Sequence, residues 1–529
     1  MDDATLDTLL AAIESNEPEQ LHALLEIGLN SFDSSQEADI MSRLAAAATQ
    51  SDLVSGLVIE NGTKHYIPEE NVAVHRRPDE ATVAVTLYAF KPIEVTDIVC
   101  RALQHNTSIL QLEIRGFTVD EALAETMAVS LTCNSTVRAM VLDVAFDEEA
   151  MLIFAAALAE SAGLQTLVVP TCCYTDAATA ALFAAIGKSR TLKSFTAWQA
   201  VLGEQGVPAA GVALTRSACL ERLLLAQCRV EAASGLVPLF DGLARNGSLL
   251  QLRLLYIPID GDEGAALGKA LAQHPRLQYL HLKYGGVDQD VPAALAHGLA
   301  CSGSLRELGL SWSQLTAEGA AALAQALPRN KSLTELDLTH NAIGDTGAIA
   351  IARALAQNDV LQRLALRDNN IGAAGASALG EWLARNRSLQ DLDMVGVSAS
   401  GVAACCKKMV RNQTLVSLAL GSLVTDGDHA GAAAVLDLLR CNTSLCEIRG
   451  NENAAIEAAL ARNRLLLSDV EWKGEQPVAC APFASLWVVL TAIRGAEQSS
   501  ADAALRVPPS QLISDVIFSL SRAMRPCIE

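Results

Sequence analysis

Apolar positions recur along this chain in one short phrase, Leu-x-x-Leu-x-Leu, thirteen times between Ile109 and Ile448. The phrase opens at Ile109, Val137, Leu164, Leu192, Leu220, Leu249, Leu277, Leu305, Leu333, Leu361, Leu389, Leu415 and Leu445, a spacing close to 28 residues. A period of that size marks units stacked in one direction, not a single globular core. In the clearest copy Leu336 and Leu338 alternate with polar residues, so both point to one side of a short strand. After Gly347 the apolar residues Ile349, Ala350 and Leu355 fall at helical spacing, and the alanines favour the helix. Asn358 stops that helix, a position where Gly or Asn is favoured. Each unit is therefore predicted to be strand, loop, helix, loop.

Stacking such units bends them. Neighbouring strands need about 4.8 Å while packed helices need about 8–10 Å, so the strands must lie on the inside of an arc. Because each strand has its own helical return, all strands are expected to be parallel. Asn stands three residues before the anchor at Asn106, Asn134, Asn246, Asn330, Asn358, Asn386, Asn412 and Asn442. Seven of these read as Asn-x-Ser/Thr, which imitates a glycosylation acceptor. Their register with the repeat assigns them to the turn before each strand instead.

These units, 28 or 29 residues long with a full helix, resemble the ribonuclease-inhibitor type of leucine-rich repeat. That type also occurs in the sensor region of NOD-like receptors and in Ran GTPase activators. The resemblance covers about residues 81–467, some 13 to 14 repeats. It implies an α/β leucine-rich repeat solenoid, a horseshoe with a parallel sheet on the concave face and helices on the convex face. The Asn or Cys that the family places after the strand stands at Cys172, Cys228, Asn341 and Asn369. Phe117, Ala200, Ile257, Gly285 and Ser313 occupy the slot elsewhere, and less regular loops are expected in those copies.

The period is absent at both ends. Residues 1–80 are expected to be an N-terminal helical cap or a small accessory domain. Leu6, Leu9, Leu10 and Ile13 have helical spacing, as do Leu21, Leu24 and Leu25, and a third helix is read from Glu37 to Ala48. Val83–Leu87 alternates like a strand, followed by a helix to Leu103. Residues 468–529 are expected to be a C-terminal helical cap, with helices over Ser485–Ile493 and Ser510–Met524. Solenoids need ends that cover the last apolar layer, which makes capping the natural role.

Composition narrows the function classes. The formal charge is −21, and no cluster of Lys and Arg appears that could displace counterions from phosphates, which argues against nucleic acid. The same sign argues against anionic lipid. The 13 cysteines are scattered, with pairs at Cys172-Cys173 and Cys405-Cys406 but no Cys-x-x-Cys, so buried reduced thiols in a cytoplasmic protein are expected. The acidic N-terminus lacks the order of a signal peptide. The longest apolar run, Ala150–Pro170, is broken by Glu160, Ser161 and Gln165, so no span of a bilayer is expected.

Motifs for catalysis fail individually. Gly264 to Ala270 has the wrong glycine spacing for a phosphate loop, and Ala270 stands where a hydroxyl should bind magnesium. No His-Glu-x-x-His or Gly-x-Ser-x-Gly occurs, and the nine histidines show no metal-ligand spacing. No catalytic residue, metal or cofactor is assigned. Arg115, directly after a strand phrase, is the nearest counterpart by position to the arginine of Ran activators.

What remains is the inner face. Residues between and beside the paired leucines place Trp198, Tyr256, Tyr279, Tyr284 and Trp312 there. Trp and Tyr dominate binding hot spots. Arg253 and Lys283, with Arg222 and His281, accompany the rings, while Glu307, Glu335 and Asp337, then Asp391 and Asp393, follow. The face is expected to change sign along the arc and so orient a partner. The expected function is a non-enzymatic scaffold binding a protein or peptide on the concave face. Alternatives are a GTPase activator of the Ran type, or an innate-immune-like receptor or secreted effector whose first 80 residues act separately. A ladder of rings that only stiffens the sheet is the competing use of the aromatics.

Overall fold

The computed structural model describes residues 54–60, 83–88, 92–107, 109–170, 175–420, 430–449 and 453–468. The helices expected before Ala48 and after Ser485, and the pair Cys172-Cys173, lie outside these residues. The described residues form two compact units, one reaching Ile257 and including Gln273–Tyr279, the other made of Pro258–Ala272 and the described residues from Leu280 on.

In the first unit the strands are β1 (Val54–Glu60), β2 (Val83–Tyr88), β3 (Gln111–Val119), β4 (Ala139–Phe146), β5 (Thr166–Val169), β6 (Ser194–Trp198), β7 (Val201–Leu202), β8 (Arg222–Ala226), β9 (Arg229–Val230) and β10 (Gln251–Leu255). Its helices are α1 (Pro92–Leu103), α2 (Glu121–Cys133), α3 (Glu148–Glu160), α4 (Asp176–Lys188), α5 (Gly206–Arg216) and α6 (Val237–Arg245). The strands run parallel in the order β2-β1-β3-β4-β5-β6-β8-β10, and β7 pairs with β9 in a short second ladder.

The second unit alternates α7 (Gly261–Gln273), β11 (Tyr279–Lys283), α8 (Val291–Cys301), β12 (Glu307–Gly309), α9 (Ala317–Ala324), β13 (Glu335–Asp337), α10 (Gly344–Leu355), β14 (Arg363–Ala365), α11 (Ala373–Leu383), β15 (Asp391–Asp393), α12 (Ala399–Met409), β16 (Ser417–Ala419), α13 (Ala430–Cys441), β17 (Glu447–Arg449) and α14 (Ala454–Ser468). From β12 to β17 each strand pairs in parallel with the next in sequence. The protein is an α/β solenoid of leucine-rich repeats. The phosphate-loop lookalike, Gly264 to Ala270, is the middle of α7.

Val54–Glu60, within the stretch read as a helical cap or small accessory domain, is a strand and lies between β2 and β3. Its Val-rich segment had no place in the 28-residue register, so periodicity could not find it.

The core of each unit is the layer between sheet and helices. Leu336 and Leu338 are buried there, as are their counterparts Leu308, Leu310, Leu364 and Leu366, together with Ile351 and Leu355 from the helices. The asparagines tie successive repeats. In Asn330 the amide NH2 donates to Leu299 and Ser302 carbonyls at 2.8 and 3.3 Å, while its oxygen accepts from the Ser332 and Leu333 amides at 3.0 and 2.7 Å. Asn358, Asn412 and Asn442 repeat this bonding to the preceding turn. Buried nitrogens already spent on carbonyls cannot serve as glycosylation acceptors, so the turn assignment holds at these positions. Asn463, beyond the last phrase, continues the ladder by donating to Asn442 and Leu445 carbonyls.

Candidate functional site

Register sets the open face of the second unit. Glu307, Glu335, Arg363, Asp391, Ser417 and Glu447 stand opposite one another in one row, and Gly309, Asp337, Ala365, Asp393, Ala419 and Arg449 in the next. Lys283 at the end of β11 reaches over β12 to Asp337, with Nζ 2.7 Å from Oδ2. Gly309 makes this passage possible, since a Cβ there would sit 2.7 Å from Lys283 Cε and 3.2 Å from the His281 ring. Burial alone would raise the Asp337 carboxyl, but Lys283 and the Thr339 amide outweigh it and hold the pKa below the usual value. Arg363 pairs with Glu335, and Arg449 Nη2 lies 2.6 Å from Asp391 Oδ1. Burial nevertheless keeps Asp391 above the ordinary carboxylate range, with Asp393 and Glu447 adding to it against Arg449. His281 Nε2 is 2.7 Å from Glu307 Oε1 but poorly directed for a hydrogen bond, so it is an ion pair only when the imidazole is protonated.

These pairings correct the charge expectation. Basic and acidic residues do not form opposed blocks in this unit. Arg363 and Arg449 were passed over in the sequence because their partners stand one or two strands away.

Seven residues past the anchor the backbone is left-handed in nine of the described copies, at the corner that follows the strand in most and at the bulge within β3 for Gly116. Gly116, Gln199, Gln227, Tyr256, Tyr284, Trp312, His340, Asp368 and Gly396 have φ between 51 and 88°. The corners are locked from outside: Tyr284, Trp312, His340 and Asp368 each donate their amide N–H to a carbonyl of the following repeat, at Ser311, Thr339, Arg367 and Val395. Positive φ brings Cβ against the following carbonyl oxygen and costs a non-glycine residue about 1–2 kcal/mol, and a bulky side chain there is rare. The corner is regular across copies that lack the post-strand Asn or Cys. Gln199, Tyr256, Tyr284 and Trp312 precede Ala200, Ile257, Gly285 and Ser313, so the expectation of irregular loops fails at those four. Ser313 shows why, since its hydroxyl donates to the Leu282 carbonyl much as Asn341 serves Leu310.

In the second unit the corner side chains stack. The Tyr284 and Trp312 rings are 6.3 Å apart at 23°, and Trp312 and His340 are 4.0 Å apart at 21°. His340 Nε2 is 3.3 Å from Asp368 Oδ2, and Arg367 lies as close to the same oxygen. Stacking covers ring faces but not edges, and Tyr284 and Trp312 remain 42% and 49% exposed. Tyr256 holds the same corner in the first unit, 41% exposed.

The five expected rings therefore occupy two kinds of position. Tyr256, Tyr284 and Trp312 are corners. Trp198 ends β6 opposite Ala226, half-buried, with a buried indole N–H that has no hydrogen-bond partner. Tyr279 is half-buried at the start of β11. Arg253 is half-buried in the middle of β10, where the Gln251 amide oxygen, turned toward it, accepts at 2.6 and 2.9 Å. His340 was missed because only Trp and Tyr were sought; its place in the period, between Trp312 and Asp368, was the available signal.

Other expected chemistry is engaged elsewhere. Arg115 lies within β3, and its Nη2 donates to Glu113 at 2.7 Å. Cys405 and Cys406 are fully buried, and burial pushes the Cys406 thiol up to about 12 and Cys405 well above its usual value. Neighbouring Lys407 and Lys408 do not activate them. Among the described residues no helix is long and apolar enough to cross a membrane.

A family model described as Leucine Rich repeat matches residues 303–324, 329–352 and 357–380. These are the copies around Trp312, His340 and Asp368, and the chain is a leucine-rich repeat protein. Two solved structures resemble it distantly. Leiomodin-1 actin-binding site 2 is 21% identical, covering 34% of this chain and 92% of its own, with a TM-score of 0.25. A chain of a Rad7 and Elc1 complex in yeast is 12% identical, covering 80% of this chain and 90% of its own, with a TM-score of 0.37. At such scores neither bears on what this chain binds. No curated protein matches it.

Proposed function

We propose that this protein is a non-catalytic recognition scaffold, with repeats of the ribonuclease-inhibitor type, that holds a protein or peptide against the open side of its sheet. The contact centres on Tyr284, Trp312 and His340, with Lys283, Asp337, Glu307 and Glu335 beside them. One observation carries the reading: bulky rings occupy left-handed corners that glycine fills at Gly396. Structure alone would favour glycine, so the rings are retained for what they present. Tyr256 holds the same corner position in its own repeat of the first unit, and Trp198, Tyr279 and Arg253 are supporting positions on the strands. The described cysteines are free thiols, which fits a reducing, cytoplasmic setting. The GTPase-activator alternative is weakened because Arg115 is already committed to Glu113.

The test is capture from native lysate by the wild-type chain and by a Y284G/W312G variant, run in parallel at a temperature where circular dichroism shows both folded. Partners identified by mass spectrometry should be depleted by the double substitution. Equal recovery on both baits would sink the assignment and leave the rings as stiffening elements.

A further inference from the structure

On the helix side of the second unit, α10, α11 and α12 line a groove of about 1170 Å³. Its floor is largely alanine with the buried Trp382 beneath. Two charged ladders cross it at the repeat spacing. In one, Lys331 Nζ meets Asp359 Oδ1 at 2.8 Å, and Arg387 stands one repeat further on. In the other, Lys408 Nζ meets Glu381 Oε1 at 2.7 Å, and Arg353 stands one repeat before Glu381. Each carboxylate is thus taken by a lysine. Arg353, Arg387 and Arg385, all exposed and all lining the groove, form no ion pair among the described residues. Three arginines around one hollow, of which Arg385 alone feels a carboxylate nearby, that of Glu381, stand out in a chain of net charge −21.

We propose that this groove binds a phosphorylated segment of a partner protein. Guanidinium forks match phosphate oxygens in bidentate fashion, and a dianion satisfies several arginines at once where a carboxylate would leave some unmet. The apolar floor suits the side chains flanking a phosphorylated residue. A nucleic acid fits less well: its train of phosphates would pass Asp359 and Glu381, and the groove's aromatic, Trp382, is buried and offers no stacking surface. The groove shares no residue with the aromatic corners, so its test stands apart from theirs.

The experiment uses the full chain and fluorescence anisotropy. The probes are a labelled peptide pool with a fixed central phosphoserine and degenerate flanks, and the same pool carrying serine. The phosphoserine pool should bind about tenfold tighter or better, inorganic phosphate should compete, and R385A/R387A should remove the preference. Both arginines are exposed, so the variant's circular dichroism melt should match wild type. W312G should leave phosphopeptide binding unchanged. Equal affinity for the two pools, an R385A/R387A variant that binds like wild type, or tighter binding of a random single-stranded oligonucleotide would each overturn the proposal.

Discussion

Replacing Trp312 by Gly and by Ala should reverse the usual order of the two. The ring is half exposed, so it buries about 125 Å² at most, worth about 3 kcal/mol at roughly 25 cal/mol per Å². Both variants lose that, together with the stacks on Tyr284 and His340, worth about 0.5–1.5 kcal/mol each. They differ in the backbone. Alanine keeps the left-handed strain of about 1–2 kcal/mol, whereas glycine removes it but loses about 0.5–1 kcal/mol more chain entropy on folding. Glycine should therefore be the more stable by roughly 0.5–1 kcal/mol. Trp198 is the internal control, because it ends a strand and is not left-handed. There alanine should be ahead by about 0.5–1 kcal/mol. Urea unfolding followed by circular dichroism, comparing midpoints at equal slope, reads all four variants. If W312A equals or exceeds W312G, the corner is not strained in solution, and the argument from strain to recognition collapses.

Two further outcomes follow from single contacts. His274 fills the asparagine slot of its repeat, its Nδ1 accepting from the Arg276 and Leu277 amides at 3.1 and 2.9 Å. Burial and Arg276 lower its pKa to about 4 from 6.5. The unfolded chain takes up that proton first, so this stabilisation is full above about pH 6.5 and is lost as pH falls toward about 4, roughly 3 kcal/mol at most. H274N should keep the turn and flatten stability across that window in pH-dependent unfolding; an unchanged slope would refute the assignment. G309A should displace Lys283 and cost about 1–3 kcal/mol, and NMR titration should show the Asp337 pKa rising, as it also should in K283M. An unmoved Asp337 would show that the lysine has another route.

Much of the fold was legible because leucine spacing obeys one rule in every repeat. The buried turn asparagines were legible for the same reason. The recognition surface was read only in part. Tyr256, Tyr284 and Trp312 were found as rings near strand ends, but their left-handed backbone was not, since Tyr and Trp are among the residues least expected there. Aligning the corners would have shown Gly116 and Gly396 in the same register, the one available hint. The charges misled because Lys283 and Asp337 meet across an intervening strand, 54 residues apart in the chain.

What the amino-acid order determined by itself was local and periodic: which positions face the core, that each unit is a strand followed by a helix, and that the strands lie parallel. Those follow from burial and hydrogen bonding repeated identically in each unit. Tertiary structure alone decided what depends on neighbours in adjacent repeats: that β1 enters the sheet between β2 and β3, that Gly309 opens a path for Lys283, and that Tyr284, Trp312 and His340 stack in one row. The reason is distance. A repeat pattern specifies each unit against itself, whereas these contacts join side chains one or two repeats apart, where no sequence rule encodes which will touch.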